Sequence, residues 1–330
     1  MSTGTGASDL LHAEDHGVDE IVAGKAPVAA RSPLQLFWRR FRKDKVALTA
    51  AVFIILLILV AIFATPIRKL VGAPDPNATS TDALDAFGLP TGPSSAHLFG
   101  VDSVGRDIFS RVLSGAQVSL MVAFIGTGLS VVIGVTMGMI AGYFRGWIDT
   151  GIARVIDILL AFPVLLLGLG LASACSGKDG CLGGLLQPGL TVVITIIVIG
   201  NWPYVARIIR GQVLSTREKE FVEASKSLGA GHMRIIFREI LPNLVAPIIV
   251  YTTLFIPANI LLEASLSFLG VGVQDRASWG GMLAEATSKF STAWWYMFFP
   301  GMALLLTVLA FNIVGDGMQD ALNPKSSRQR

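Results

Sequence analysis

Six stretches of this chain run for 20 residues or more without a single Asp, Glu, Lys or Arg: 46–67, 112–144, 158–177, 180–206, 240–262 and 290–315. A helix of about 20 apolar residues crosses a hydrocarbon core about 30 Å thick. A chain with six such stretches has few folds open to it. In lipid every backbone N–H and C=O must be satisfied internally, which leaves helices or a closed barrel. These runs lack the alternation of a barrel strand. The expected fold class is therefore an all-α membrane protein with six transmembrane helices. Composition agrees, with 52% hydrophobic and 15% charged residues, against about 25% charged in a soluble domain.

Lys and Arg placement orients the spans. Arg39, Arg40, Arg42, Lys43 and Lys45 precede the first run. Arg207, Arg210, Arg217, Lys219, Lys226, Arg234 and Arg238 crowd the segment between the fourth and fifth, and Lys325, Arg328 and Arg330 fall at the end of the sequence. Six crossings let all three clusters, and both termini, lie in the cytosol. The segments around 68–111, 173–188 and 270–289 then face outward. The first run begins behind some 45 polar residues, too deep for a cleaved signal peptide, so it is read as an anchor.

The basic segment after the fourth run carries the strongest local pattern. From Glu220 to Asn243 it reads EFVEASKSLGAGHMRIIFREILPN. A helix-compatible run starts at Glu223-Ala224-Ser225, Gly229 permits a reversal, and Arg234–Glu239 can form a second short helix. Leu241-Pro242-Asn243 is expected to end the stretch. The reading is a helix–turn–helix on the membrane face.

This segment resembles the EAA loop of bacterial ABC importer permeases at Glu223, Ala224, Gly229, Leu241 and Pro242. Ser225 and Glu239 depart from the usual residues. Three further stretches resemble the dipeptide and oligopeptide branch of that family. One is His97–Leu120, through His97, Gly100, Asp102, Gly105, Arg106, Asp107 and Arg111. Another is Ser265–Leu283, through Gly270, Gly272, Gln274 and Trp279, with Asp275-Arg276-Ala277 where prolines are usual. The last is Phe311–Pro324, through Asn312, Asp316 and Asp320.

The resemblance covers roughly residues 34–324. It implies a permease subunit of dipeptide/oligopeptide type with the type I ABC importer fold, forming half of a pathway with a second, homologous permease. Glu220, Glu223, Ala224, Ser225, Gly229, Leu241 and Pro242 would then couple the chain to cytosolic ATP-binding subunits. An extracytoplasmic binding protein would deliver substrate. The chain itself would carry no cofactor, ATP and magnesium being held by the ATPases. Relatives in the same branch carry nickel chelates, glutathione or haem.

The resulting division is a cytosolic tail over 1–33, read as disordered, and a basic amphipathic segment over 34–45, where Leu36, Phe37, Trp38 and Phe41 dip into the lipid interface. The first transmembrane helix follows at 46–66, an extracytoplasmic segment at 67–115 and a five-helix core at 116–318, with the coupling loop at 211–242. A C-terminal tail covers 319–330.

Candidate outer gate and pathway residues are Asp107, Arg111, Glu263, Gly270, Gly272 and Trp279. Asp107 and Arg111, four apart, can pair along one helix face, and Arg154 and Asp157 likewise. Glu263 must face protein or water; an interhelical hydrogen bond and a place in the pathway are both open, the former preferred. Gly134, Gly138 and Gly142 form a small-residue face. Phe162-Pro163 marks a kink, and Trp294, Trp295 and Tyr296 an interfacial anchor. Cys175 and Cys181, the only cysteines, are either bridged or two unpaired thiols; the bridge is favoured.

No metal ligand set is expected: His12 and His16 are read as solvated tail residues, and Asp316 with Asp320 supplies too few ligands. Neither a phosphate-binding GxxxxGK[ST] loop nor HExxH is present, so ATP binding and zinc hydrolysis are not expected of this chain. Nucleic acid is not an expected partner. The more distant alternative is a self-sufficient secondary transporter or channel, which would place ionisable groups or broken helices in the membrane.

Overall fold

The computed structural model describes residues 33–177, 180–181, 183–273 and 276–322. The expected N-terminal tail, His12 and His16, Gln274-Asp275 and the basic C-terminal residues lie outside them. Among the described residues there are helices and isolated bridges but no strand.

The chain opens with α1 (Pro33–Phe41) and α2 (Lys45–Ile62). Asp44 caps α2, its Oδ1 accepting from the amides of Val46 and Ala47 at 3.0 Å, the usual device for the orphan N–H groups of a helix start. After a single residue comes α3 (Ala64–Val71). An irregular segment leads to α4 (Ile108–Phe144), then α5 (Gly146–Ala161), α6 (Val164–Ala174) and α7 (Leu190–Thr216). The short α8 (Glu220–Ser227) precedes α9 (His232–Phe268), and α10 (Trp279–Ala286) and α11 (Trp294–Leu322) complete the chain.

Five helices (α2, α4, α7, α9 and α11) are long and apolar enough to cross a membrane, and α5–α6 make a sixth span if the bent pair is one crossing. The pair meets at 86°, a break rather than the expected kink. Pro163 offers no N–H and pushes its predecessor out of the helical region; Phe162 stands at φ −90°, ψ 131°. The run at 180–206 is helical only from Leu190, after a loop containing Pro188 and Gly189. The run counted from 112 starts at Ile108, because Arg111 is folded into the first turn of α4 and buried.

The widest helix contact is between α4 and α7. Helices gain no hydrophobic drive by leaving lipid for each other, so small residues that let backbones approach carry the packing. Gly134, Gly138 and Gly142 do so here. A Cβ on Gly138 would stand 2.6 Å from the Ala206 carbonyl, and on Gly134 or Gly142 it would strike Val205 or Val213.

Charged pairs then fix α5 to α7. Arg210 binds the Asp149 carboxylate through two nitrogens, and Arg207 binds Asp157 at 2.5 Å. Asp157 therefore pairs across helices with Arg207, not along its own helix with Arg154.

Two expectations about the membrane surface change. Phe41 is buried against Ala47 and Ala321, and Phe37 packs on the same cluster, so α1 docks on the end of α11 and leaves Trp38 exposed for lipid. Of the aromatic trio only Trp294 is exposed. Tyr296 is fully buried, and Trp295 lies against Gly92 and Gly100.

The glycine seam makes a sharp prediction. Gly138→Leu forces α4 and α7 apart and costs about 1–3 kcal/mol or more, as overpacking does. Gly128→Ala, whose Cβ meets nothing within 4 Å, leaves stability unchanged. Thermal melting of the two detergent-purified variants distinguishes them.

Candidate functional site

At one end of α4 and α7 lies the basic turn. α8 lays Val222 into a cluster with Tyr143, Val213, Ile235, Ile236 and Ile240, which fixes its inner side. Its other side, with Glu220, Glu223 and Ala224, is exposed. The helix ends in a Schellman closure: the Ala230 amide donates to the Ser225 carbonyl at 3.1 Å and the Gly229 amide to that of Lys226 at 2.9 Å. Such an ending needs a left-handed residue, and Gly229 stands at φ +80°. Leu228, just before it, is 89% exposed.

The turn is tied to α4 as well. Tyr143 Oη and His232 Nδ1 are 2.8 Å apart, the Arg217 guanidinium donates to the Tyr143 carbonyl, and Arg145 pairs with Glu218. The expected boundary at Leu241-Pro242 is absent. From His232 the chain runs unbroken to Phe268, passing through a π turn at Ile235–Ile240 directly before Pro242. The missing N–H of the proline leaves an α partner vacant, and the wider turn accommodates that. Leu241 and Pro242 thus lie inside a helix.

At the opposite end is a cluster of charge. The Asp102 Oδ1 accepts from the amides of Val104 and Arg106 at 3.0 and 2.9 Å, and its Oδ2 takes Arg106 Nε at 2.5 Å. Arg106 also donates to Glu285 at 2.7 Å. Arg111 donates to both Glu285 oxygens, at 3.1 and 3.0 Å, and Tyr296 donates to the same carboxylate. Burial opposes the charge on Arg106, but the Asp102 and Glu285 carboxylates outweigh it and raise its pKa.

Asp107 does not pair with Arg111. It caps α4 at the Ser110 amide, 2.8 Å away, and meets His97 Nδ1 at 3.0 Å. Trp279 is buried on Gly115 and donates to the Val112 carbonyl at 3.1 Å, so it anchors α10 to α4. Gly270, at φ +83°, closes α9 with the same Schellman pattern seen at Gly229. Gly272 packs on Ser267. Cys175 and Cys181 are joined by a disulfide, with Cα atoms 4.8 Å apart. No cluster of metal-ligating side chains occurs among the described residues.

Between these ends run two polar links. Asn259 donates to Thr127 Oγ1 at 2.7 Å and accepts from Asn201 at 2.9 Å, joining α4, α7 and α9. Glu263, fully buried, accepts from Ser119 at 2.8 Å and from Ser267 at 2.7 Å. Asn201, in the middle of an apolar run, was a legible signal; Glu285 had none, since its arginine partners lie 174 and 179 residues away.

The family pattern described as the binding-protein-dependent transport system inner membrane component matches residues 134–328. The chain belongs to that family. It is a permease of the ABC importers and a multi-pass inner-membrane protein. A second pattern, the N-terminal TM domain of oligopeptide transport permease C, matches residues 32–84. The permease is 44% identical over 300 residues to the glutathione transport system permease protein GsiD of Escherichia coli O6:K15:H31 (strain 536 / UPEC), covering 91% of this chain and 93% of that one. The same figures hold for GsiD of Shigella boydii serotype 4 (strain Sb227). Its fold is that of the MetNI methionine ABC transporter in inward-facing form, with TM-score 0.55, 18% identity, and coverage of 66% of this chain and 98% of that one.

The cap of α4 sets an expectation for the permease. Asp107→Ala loses both the Ser110 and His97 contacts and costs about 1–2 kcal/mol, while Asp107→Asn keeps the cap and most of the stability. Denaturant unfolding of the two detergent-solubilised variants gives the comparison.

Proposed function

We propose that this permease forms half of the translocation pathway of an ATP-driven importer of dipeptides and oligopeptides, together with a second, homologous permease. Two cytosolic ATPases hold the ATP and magnesium, and an extracytoplasmic protein delivers the substrate. The observation that carries the cargo class is the pair of sequence matches. One spans the N-terminal segment and is described for an oligopeptide permease; the other spans nine-tenths of the chain and is named for glutathione, itself a tripeptide. The second match favours glutathione as the specific second reading.

Coupling passes through α8 and the turn at Gly229. Its exposed face, small residues and projecting Leu228 suit insertion into a groove on the ATPase, while Val222 and the Tyr143 contacts carry motion into α4, α7 and α9. The placement of the basic clusters supports a cytosolic position for this turn and for both termini.

Gly229→Glu tests the coupling. A side chain at φ +80° is strained, and the charge falls in the docking turn. The variant is expected to insert at wild-type levels, lose the ATPase on co-purification and take up peptide at least about tenfold more slowly, the scale of an interaction worth about 1.4 kcal/mol. ATP-driven uptake at the wild-type rate would remove the docking role. Uptake of radiolabelled dialanine, trialanine and glutathione by proteoliposomes holding the whole importer tests the cargo, and transport of none of them would sink it.

A further inference from the structure

A cavity of about 330 Å³ opens beside the charged cluster. Arg106, Arg111 and Glu285 line it, together with the exposed Arg276 and with Gly270 and Gly272. Its charges are unequally committed. Asp102 is completely buried and holds the 102–106 turn in shape, so it cannot leave. Glu285 is different. It sits on the short α10, its side chain is 40% exposed, and it is the carboxylate on which the outer nitrogens of both Arg106 and Arg111 converge. The Arg111 side chain is only 4% exposed, and its Nε, also buried, has no partner among the described residues. The cluster thus holds more donors than its carboxylates fill, on guanidinium groups, which can offer a carboxylate several N–H donors at once.

We infer that this cavity is a carboxylate-binding subsite, in which the free carboxylate of an incoming substrate replaces Glu285 on Arg106 and Arg111. Glu285 is an internal surrogate: with Asp102 it balances the two guanidinium charges while the subsite is empty, and it yields its share of their donors to a ligand of the same chemistry. A surrogate carboxylate makes the empty subsite stable and at the same time weakens the ligand, because the two compete for the same donors. The inference rests on the peptide-cargo reading for the identity of the ligand, since every unmodified peptide carries a terminal carboxylate.

Competition gives opposite signs for the two halves of the cluster, which a merely structural clasp does not. The test uses the purified complex of both permeases and their ATPases without the delivery protein, titrated by saturation-transfer NMR with glycylglycine and glycylglycine amide. The carboxylate form is expected to bind better than the amide. Glu285→Gln, which keeps the side chain's shape, is expected to tighten glycylglycine about fivefold by removing the rival charge, and Arg106→Gln to weaken it about tenfold, the scale of one charged hydrogen bond. Melting temperatures confirm that both variants are folded.

Equal binding of carboxylate and amide, no detectable binding of either, or weaker binding in both variants would overturn the subsite. Peptide and glutathione uptake by the complete transporter is measured in parallel. A carboxylate preference with opposite-signed variants but no uptake of either would refute the cargo reading and keep the subsite. Uptake without that preference would do the reverse.

Discussion

The close approach of α4 to α7 is the contact from which the rest of the chain takes its position. It depends on three glycines spaced one turn apart, with the backbone of Ala206 and Arg210 and the side chains of Val205, Ile209 and Val213 set directly against them. In lipid this kind of contact works through dispersion and geometry. Everything attached to the two helices inherits their relation. α7 holds the bent α5–α6 pair through Arg207 and Arg210, and runs on into the basic turn. α4 holds the charged cluster at its first turn and Tyr143 at its last. With 37 residues at 1.5 Å each, it is about 55 Å long, and the two lie near its opposite ends.

The polar groups within the spans tie the third long helix to this pair. Asn259 and Glu263 are one turn apart on α9. The first reaches Thr127 and Asn201, the second Ser119 and Ser267. Interhelical hydrogen bonds of this type are worth about 0.6 kcal/mol on average in a membrane protein, so their contribution is less strength than register. They fix which face of α9 meets α4 and α7, and α9 is the helix that joins the cavity beside the charged cluster to the basic turn.

What the sequence made legible follows the range of the interaction. The apolar runs located the helices, because the demand for about 20 apolar residues is local. The Glu220–Gly229 turn was legible because a short helix and the left-handed glycine that ends it are consecutive. The readings that changed share one cause. Treating charge as a boundary truncated α4 at Arg111, where tertiary partners allow a guanidinium to be buried. Pairing residues three or four apart put Asp107 with Arg111 and Asp157 with Arg154, whereas His97 and Arg207 compete from elsewhere in the fold. Pro242 looked like an end because its missing N–H was weighed without the π turn that absorbs it.

That π turn sets a phase. Each residue in an α-helix advances the side chains by about 100°, and the π segment at Ile235–Ile240 breaks that count between the basic turn and the membrane part of α9. The azimuth of Met233 and Arg234 relative to Asn259 and Glu263 is therefore governed by six residues, independently of helix length. A conversion of this segment to regular α-helix would swivel the His232 end about the helix axis relative to the Phe268 end.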